Sequence, residues 1–325
     1  MNPNGELSPP GRPVPLPAAQ GGPRDRLLPR RAALELGHAE AWLSQGRSRF
    51  HWENVDWLRR VVRLGLGLSG LLPRGQRNAL RLVVNHLPFR FATLPEAFHG
   101  FRILHLSDLH IDGLADLAAA ICDKIRGLEV DLCVLTGDYR FEVHGPYHTV
   151  YRYVEQVLAC VKSRHGIVGI LGNHDFYEVV PELERMGVTM LINQSLEVRQ
   201  DGASIWLLGL DDAHYYGCDD LPQALAVVPE GAFKVLLVHS PEMLVEAAKS
   251  QVDLYLCGHT HAGQIRLPWF GPLLVNARCA RRYVQGAWTF EGVQGYTSAG
   301  AGSSCVPVRF FCPPEIGVIE LQRVS

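Results

Sequence analysis

Asp108-Leu109-His110, Gly137-Asp138, Gly172-Asn173-His174-Asp175 and Gly258-His259-Thr260-His261 concentrate the carboxylates, imidazoles and amides that bind metal ions, and His239 lies between the last two. Hydrolysing a phosphate ester or anhydride requires screening the phosphoryl oxygens and supplying hydroxide at neutral pH. Two metal ions roughly 3.5–4 Å apart do both, and they need a bridging carboxylate with mixed nitrogen and oxygen ligands. The chain supplies Asp, Asn and His donors of that kind, a mixture that suits manganese, iron or zinc better than magnesium or calcium. The expected cofactors are two divalent metal ions, with manganese favoured. The glycines at 137, 172 and 258 let backbone approach such ions closely.

Most of these groups follow an apolar run: Phe101 to Leu104, Leu132 to Leu135, Ile167 to Leu171, Val235 to Val238 and Leu254 to Leu256. Such runs, bounded by turn residues, read as buried strands. Ligands at the carboxyl ends of parallel strands converge on one crevice, where open α/β sheets place their sites. Strand candidates at 101–107, 130–136, 167–171 and 188–192 alternate with helical stretches at 115–127, 146–164 and 178–187. That rhythm argues for an α/β fold. Beyond it, Leu196 to Leu210 reads as a hairpin turning at Asp201-Gly202. Strands recur at 233–239 and 252–256, and β-like pieces at Val308 to Phe311 and Ile316 to Leu321 end the chain. The order fits a four-layer α/β/β/α sandwich with two mixed β-sheets, preceded by a helical N-terminal arm.

The 325-residue chain has a net charge of −2, unevenly spread. Residues 1–100 carry 14 Arg, no Lys and 7 acids, whereas the remainder carries 17 basic and 26 acidic residues. An acidic catalytic half suits metal cations, and an arginine-rich front half suits an anionic partner, membrane phospholipid before DNA. A GC-rich genome would give the same arginine excess. Residues 1–30, rich in Pro, Gly and Arg, are expected to form a disordered tail. Residues 31–87 read as an amphipathic helical arm, with a pattern around Leu34, Leu36, Trp42 and Leu43, a helix from Trp52 to Leu72 ended by Pro73, and a segment from Asn78 to His86. Arg59, Arg60 and Arg63 beside Trp57, Leu58, Val61, Val62 and Leu64 are the signature of a helix at a membrane interface. Packing on the catalytic domain, or a dimer contact, is the competing reading. The catalytic domain then spans 88–325. Eight cysteines without a CxxC pair or a framework spacing read as reduced thiols. No apolar signal segment follows Met1, and no N-terminal run approaches the roughly 20 apolar residues of a bilayer span. The expected location is cytoplasmic, with peripheral contact at the inner membrane face left open.

In order and spacing the five clusters resemble the calcineurin-like metallophosphoesterase superfamily, whose motifs run D-x-H, G-D, G-N-H-D/E, H and G-H-x-H. The resemblance covers residues 100–322. It implies a hydrolase with a dinuclear centre, cleaving a phosphoester or pyrophosphate bond by a metal-bridging hydroxide. It implies one metal on Asp108, His110 and His261, a second on Asn173, His239 and His259, and Asp138 bridging them. His174 would then face the substrate and protonate the leaving group or steady the transition state, oriented by Asp175. Many relatives carry an Asp or Asn shortly after G-D, whereas this chain has Tyr139-Arg140; Arg140 is a candidate for a bidentate contact with a substrate phosphate.

His239-Ser240-Pro241-Glu242, the run from Cys257 to Pro268 and the tail from Ser298 to Ser304, with Pro307-Val308-Arg309-Phe310, resemble a bacterial YkuE-like branch. That branch includes enzymes that cleave the pyrophosphate of UDP-2,3-diacylglucosamine in lipid A biosynthesis. The resemblance therefore implies a phosphorylated small-molecule or lipid-linked substrate, a lipid-linked nucleotide pyrophosphate first, and no nucleic acid partner. The alternatives are a soluble nucleotide phosphodiesterase and a metal-binding scaffold without turnover. Other candidates have plainer readings. Gly300-Ala301-Gly302 reads as a turn rather than a dinucleotide loop, and Arg309 as structural. His144 and His148 read as surface residues, and Asp211, Asp212 and His214 as loop residues beside the site.

Overall fold

The computed structural model describes residues 19–20, 30–37, 56–143, 147–272 and 275–324. The expected helical pattern at 38–50, most of the 1–30 tail, and His144 lie outside the described residues.

Two six-stranded sheets carry the molecule. The first runs Val83–Phe91, Glu315–Arg323, Phe101–Leu106, Leu132–Leu135, Ile167–Gly169, Val188–Met190. The second runs Gly286–Phe290, Val293–Thr297, Leu254–Cys257, Lys234–Leu237, Ala203–Gly209, Gln194–Gln200. Both are mixed: in the first only Glu315–Arg323 against Phe101–Leu106 is antiparallel, and in the second the two edge pairs are antiparallel. The short central strands are apolar on both faces because both are covered. Ile103, Leu132, Val134 and Val168 meet Leu207, Val235, Leu237 and Leu256 of the other sheet. Leu104, Leu106, Cys133 and Leu135 instead meet the helices Leu117–Ile125, His148–Leu158 and Val179–Arg185. On the far side, Leu208, Leu236, Val238 and Tyr255 pack on Leu221–Leu225 and Leu244–Lys249. The order of layers is α/β/β/α, as the sequence pattern implies. The hairpin also forms, Gln194–Gln200 on Ala203–Gly209, with Asp201 and Gly202 both left-handed at φ 49° and 81°, as a two-residue I′ turn requires.

The arm departs from expectation. Val83–Phe91 is a strand, paired in parallel with Glu315–Arg323 from Val83↔Glu315 to Phe91↔Arg323, so the helical reading of 31–87 fails at its end and the sheet begins before residue 88. Phe89 and Phe91 are buried with period two, and Pro88, lacking an N–H, is tolerated on this edge strand. The helix expected over Trp52 to Leu72 is described from Asp56 and ends at Leu68, and after Ser69-Gly70 a further helix that the pattern did not suggest runs over Leu72–Ala79. Pro73 opens the second helix rather than ending the first, since its missing N–H is an unbonded donor position there. Part of the front segment is also ordered: Gln20 exchanges backbone hydrogen bonds with Ser195 at the edge of the second sheet, and residues 30–37 form a helix. Val308 to Phe311 makes only an isolated bridge, Phe310 to Ile265.

Candidate metal centre

The candidate metal-binding side chains leave the carboxyl ends of strands in both sheets and meet between them. Asp108 and His110 follow Phe101–Leu106, Asp138 follows Leu132–Leu135, and Asn173 follows Ile167–Gly169. His239 follows Lys234–Leu237, and His259 and His261 follow Leu254–Cys257. Reaching one point from loops this short strains the backbone. Asp108, His110, Asp138, His259 and His261 all adopt left-handed φ, between 37° and 69°, a cost accepted mostly at functional sites. Glycine is required beside them: a Cβ on Gly258 would sit 2.0 Å from Asp108 Oδ2 and from Ser107 Oγ.

Every one of these side chains is buried. His110 Nε2 lies 3.1 Å from His261 Nε2, which lies 3.4 Å from Asp108 Oδ1. Asp138 Oδ2 is 3.4 Å from His110 Nε2 and 3.3 Å from His239 Nε2, between the two groups. Asn173 Oδ1 lies 3.0 Å from both His239 Nε2 and His259 Nδ1. Asp108, His110 and His261, and likewise Asp138, His239 and His259, bring one ligand atom each within 4.8 Å of one another. Two imidazole nitrogens facing each other inside protein, with a carboxylate beside them, fit a shared cation. The backs of the rings are fixed: His110 Nδ1 is 2.7 Å from Arg140 O and His239 Nδ1 is 2.7 Å from Thr136 O, the arrangement that orients ligating histidines.

Burial dominates the electrostatics. It pushes the His110 imidazole down to about 3 and holds His174, His259 and His261 well below the usual range; neutral imidazole is the ligating form. It pushes Asp138 up to about 7 against the pull of His239. For His239 itself burial is outweighed by the Asp138 and Asp108 carboxylates, which hold it well above its normal value. Filling such a site with a cation releases protons.

His174 stands in the cluster, its ring centroid 4.7 Å from that of His110 and its N–H bonded to Asp138 Oδ1 at 2.9 Å. Its nitrogen is also within ligand distance of His110 and Asp138. The expectation that Asp175 orients it is corrected. His174 Nδ1 is 2.8 Å from Phe141 O. The Asp175 carboxylate turns away and accepts from the N–H groups of Asp138, Tyr139 and Gly172 at 2.7, 2.9 and 2.8 Å. Asp175 thus ties two ligand loops together, because three loop amides there would otherwise be buried unpaired. Arg140 is buried, its guanidinium 4.8 Å from the Phe176 ring centroid, and it donates to Glu142 O. It lines a small cavity with Tyr147, Tyr151 and Asp175. His148 is exposed. Asp212 accepts from the N–H groups of Tyr215 and Tyr216, and the His214 ring lies 4.3 Å from that of His259.

Two arginines matter more than their sequence context suggests. Arg309 is buried, donates to Ala299 O and His261 O at 2.7 and 3.1 Å, and sits 3.1 Å from His261 Nδ1; its structural role includes the last ligand loop. Arg31 comes from the front segment. Its Nη2 donates to Gly172 O and Asp175 O at 3.1 and 2.7 Å, bracketing Asn173 and His174. Its other nitrogens meet Asp211 and Glu35, both at 2.7 Å, and its guanidinium lies 3.6 Å from the Tyr216 ring centroid. Only the i,i+4 spacing of Arg31 and Glu35 was visible in the sequence, and that spacing is commonplace.

The family model for calcineurin-like phosphoesterases matches residues 101–263. The metallophosphoesterase YkuE of Bacillus subtilis is 32% identical over 245 residues, covering 71% of this chain and 82% of that one. The phosphodiesterase YaeI of Escherichia coli K12 is 31% identical, covering 68% and 82%. A metallophosphoesterase of Helicobacter pylori J99 is 29% identical, covering 81% and 71%.

Proposed function

The chain belongs to the calcineurin-like phosphoesterase family and is a hydrolase, and from that premise we propose that it cleaves a phosphodiester or pyrophosphate bond at a dinuclear centre. The observation that carries this is the convergence of Asp108, His110, Asp138, Asn173, His239, His259 and His261 on one buried point. Divalent ions held there supply positive charge against the phosphoryl oxygens and a nucleophile from water at neutral pH; manganese suits the mixed donors. Asp108, His110 and His261 would hold one ion, Asn173, His239 and His259 the other, and Asp138 would serve both. His174 donates Nδ1–H to Phe141 O and turns its other nitrogen to the leaving oxygen, where the negative charge of a bound phosphate offsets the burial that holds the ring neutral, so that the ring takes up a proton and passes it to the leaving group. Asp175 and Arg31 keep its loop in place.

For the substrate we propose a lipid-linked nucleotide pyrophosphate of the UDP-2,3-diacylglucosamine kind. Support comes from the pattern of the YkuE-like segments and from the apolar and basic helices that precede the catalytic strands. Among the described residues no helix is long and apolar enough to cross a membrane. The second reading is a soluble nucleotide phosphodiesterase, and the name of YaeI supports its phosphodiesterase part. Initial rates of the manganese-loaded protein on bis-p-nitrophenyl phosphate and on UDP-2,3-diacylglucosamine in mixed micelles separate the readings, with Asp138→Ala as control. Asp138-dependent release of UMP supports the lipid substrate. Turnover of the generic diester alone removes it, and turnover of neither removes the hydrolase mechanism.

A further inference from the structure

Two groups hold most of the exposed large hydrophobic side chains among the described residues. The hairpin Arg266–Leu267 with Gly271–Pro272 carries Trp269 and Phe270 at its tip, 97% and 79% exposed. Trp269 stands at φ 72° at the hairpin tip. The second group lies on Asp56–Leu68 and the turn after it, where Val61, Leu64, Leu68 and Leu71 are exposed. One strap joins them. Phe310 O accepts from Arg266 N on the hairpin side, and Arg309 N donates to Gly75 O of Leu72–Ala79 on the other. A Cβ on Gly75 would meet Val308 and Phe310 at 2.7 and 2.8 Å, so helix and strap are in close contact. The adjoining Phe311 is itself 69% exposed.

The charge around this face is predominantly basic, although Glu142 pairs with Arg59 of the helix and Glu242 accepts from the Arg278 N–H. Arg60, Arg63, Arg74, Arg77 and Arg81 are exposed, and the sequence has no acid between Asp56 and Glu96. Arg278, Arg281 and Arg282 are exposed near the hairpin, with no acid between Asp253 and Glu291. Arg266 of the hairpin bonds Gln285, which brings that basic segment against it. Exposed Trp and Phe ringed by arginine match an anionic lipid surface, with aromatic rings at the headgroup level and cations on the phosphates. Asp56–Leu68 has 13 residues, a length of about 20 Å against a hydrocarbon core of about 30 Å, so it suits lying in the interface. The face also borders the metal centre: the hairpin begins four residues after Ala262, and Ala79 of the second helix lines a shallow cleft with His110.

We infer that this face, built from the Trp269-Phe270 hairpin tip, Phe311 and the helix Asp56–Leu68, docks the protein on an anionic lipid bilayer with the metal centre beside it. Its biological sense rests on the lipid-linked substrate, but binding is read on vesicles that contain no substrate, so either reading can fail alone. The full chain is sedimented with vesicles of phosphatidylcholine with and without phosphatidylglycerol. The expected result is binding only with phosphatidylglycerol, weakened at least about tenfold in Trp269→Ser/Phe270→Ser by the lost apolar burial. Arg60→Gln/Arg63→Gln weakens it about fivefold per arginine and reduces its salt dependence. Hydrolysis of bis-p-nitrophenyl phosphate reports folding, and it stays at the wild-type rate in both variants. Should the hairpin variant not fold, Leu64→Ser/Leu68→Ser replaces it. No binding to either vesicle, equal binding to both, or binding untouched by these substitutions overturns the inference. Self-association of the native chain, lost in the hairpin variant and unaffected by lipid, assigns the face to a second copy and overturns it too.

Discussion

Replacing Arg31 by Ala removes one buried cation that meets two carboxylates and two carbonyls. Asp211 and Glu35, both at 2.7 Å, lose their partner, and Gly172 O and Asp175 O lose their donor. Breaking a buried ion pair by deleting one member costs about 3–5 kcal/mol, because the remaining charge stays desolvated. The carbonyls add to this only if water cannot reach them. Release of residues 30–37 would admit water, so the loss is capped at whatever their docking contributes. The catalytic effect is separable from stability. Gly172 and Asp175 bracket Asn173 and His174, and a displacement of about 1 Å at a reacting group costs on the order of 10²-fold in rate. The assay is kcat and KM on bis-p-nitrophenyl phosphate at saturating manganese, with a thermal melt of the same sample. Expected is a kcat about a hundredfold lower, KM within a few-fold of wild type and a melting temperature lower by several degrees. Arg31→Lys keeps the charge but not the planar fork, and it should recover part of the melting temperature and little of kcat. A wild-type kcat in Arg31→Ala, whatever the melt shows, refutes the argument that this arginine positions the catalytic loop.

Gly258→Ala should lose metal stoichiometry by elemental analysis, since the added Cβ would lie 2.0 Å from Asp108 Oδ2; full occupancy would mean the loop relaxes. His174→Ala should keep bound metal and lose about 10²–10⁴ in kcat, whereas a scaffold would lose nothing measurable in its partner binding. Chelation of the metals should abolish turnover and lower the melting temperature reversibly. At a hundred times Kd the returned metal contributes about 2.7 kcal/mol, so an unchanged melt would argue against ligation by these residues. Burial pushes the Glu35 carboxyl up to about 7, against the pull of Arg31. A folded value above the unfolded one means the docked segment holds the extra proton, so this contribution is full below about pH 4.5 and lost as pH rises through 7. Hydrogen exchange at the Tyr177 N–H, which donates to Glu35, should therefore accelerate over that window beyond its intrinsic rate, and Glu35→Gln should remove the excess.

The sequence alone determined the donors and the strands that deliver them. Asp108, Asp138, Asn173, His239 and His259 each follow an apolar run too short and too continuous to be anything but a covered strand. The physics of that pattern is local, as is the I′ turn at Asp201-Gly202. The arm was misjudged because Val83 to Phe91 has a pairing partner, Glu315–Arg323, more than two hundred residues away, and no local period reveals it. The family resemblance implies that Asp175 orients His174, but neighbours in sequence need not touch. In the fold the side chain turns to the amides of Asp138, Tyr139 and Gly172, where three buried N–H groups compete for it. Arg309 had no signature, since its partners are mostly backbone carbonyls, which every sequence possesses, and Arg31 had only a commonplace i,i+4 acid, its other partners being Asp211 and the carbonyls of Gly172 and Asp175 far along the chain. Only the packing of the two sheets decided which carbonyls would be buried without another donor, and hence where a buried guanidinium had to go.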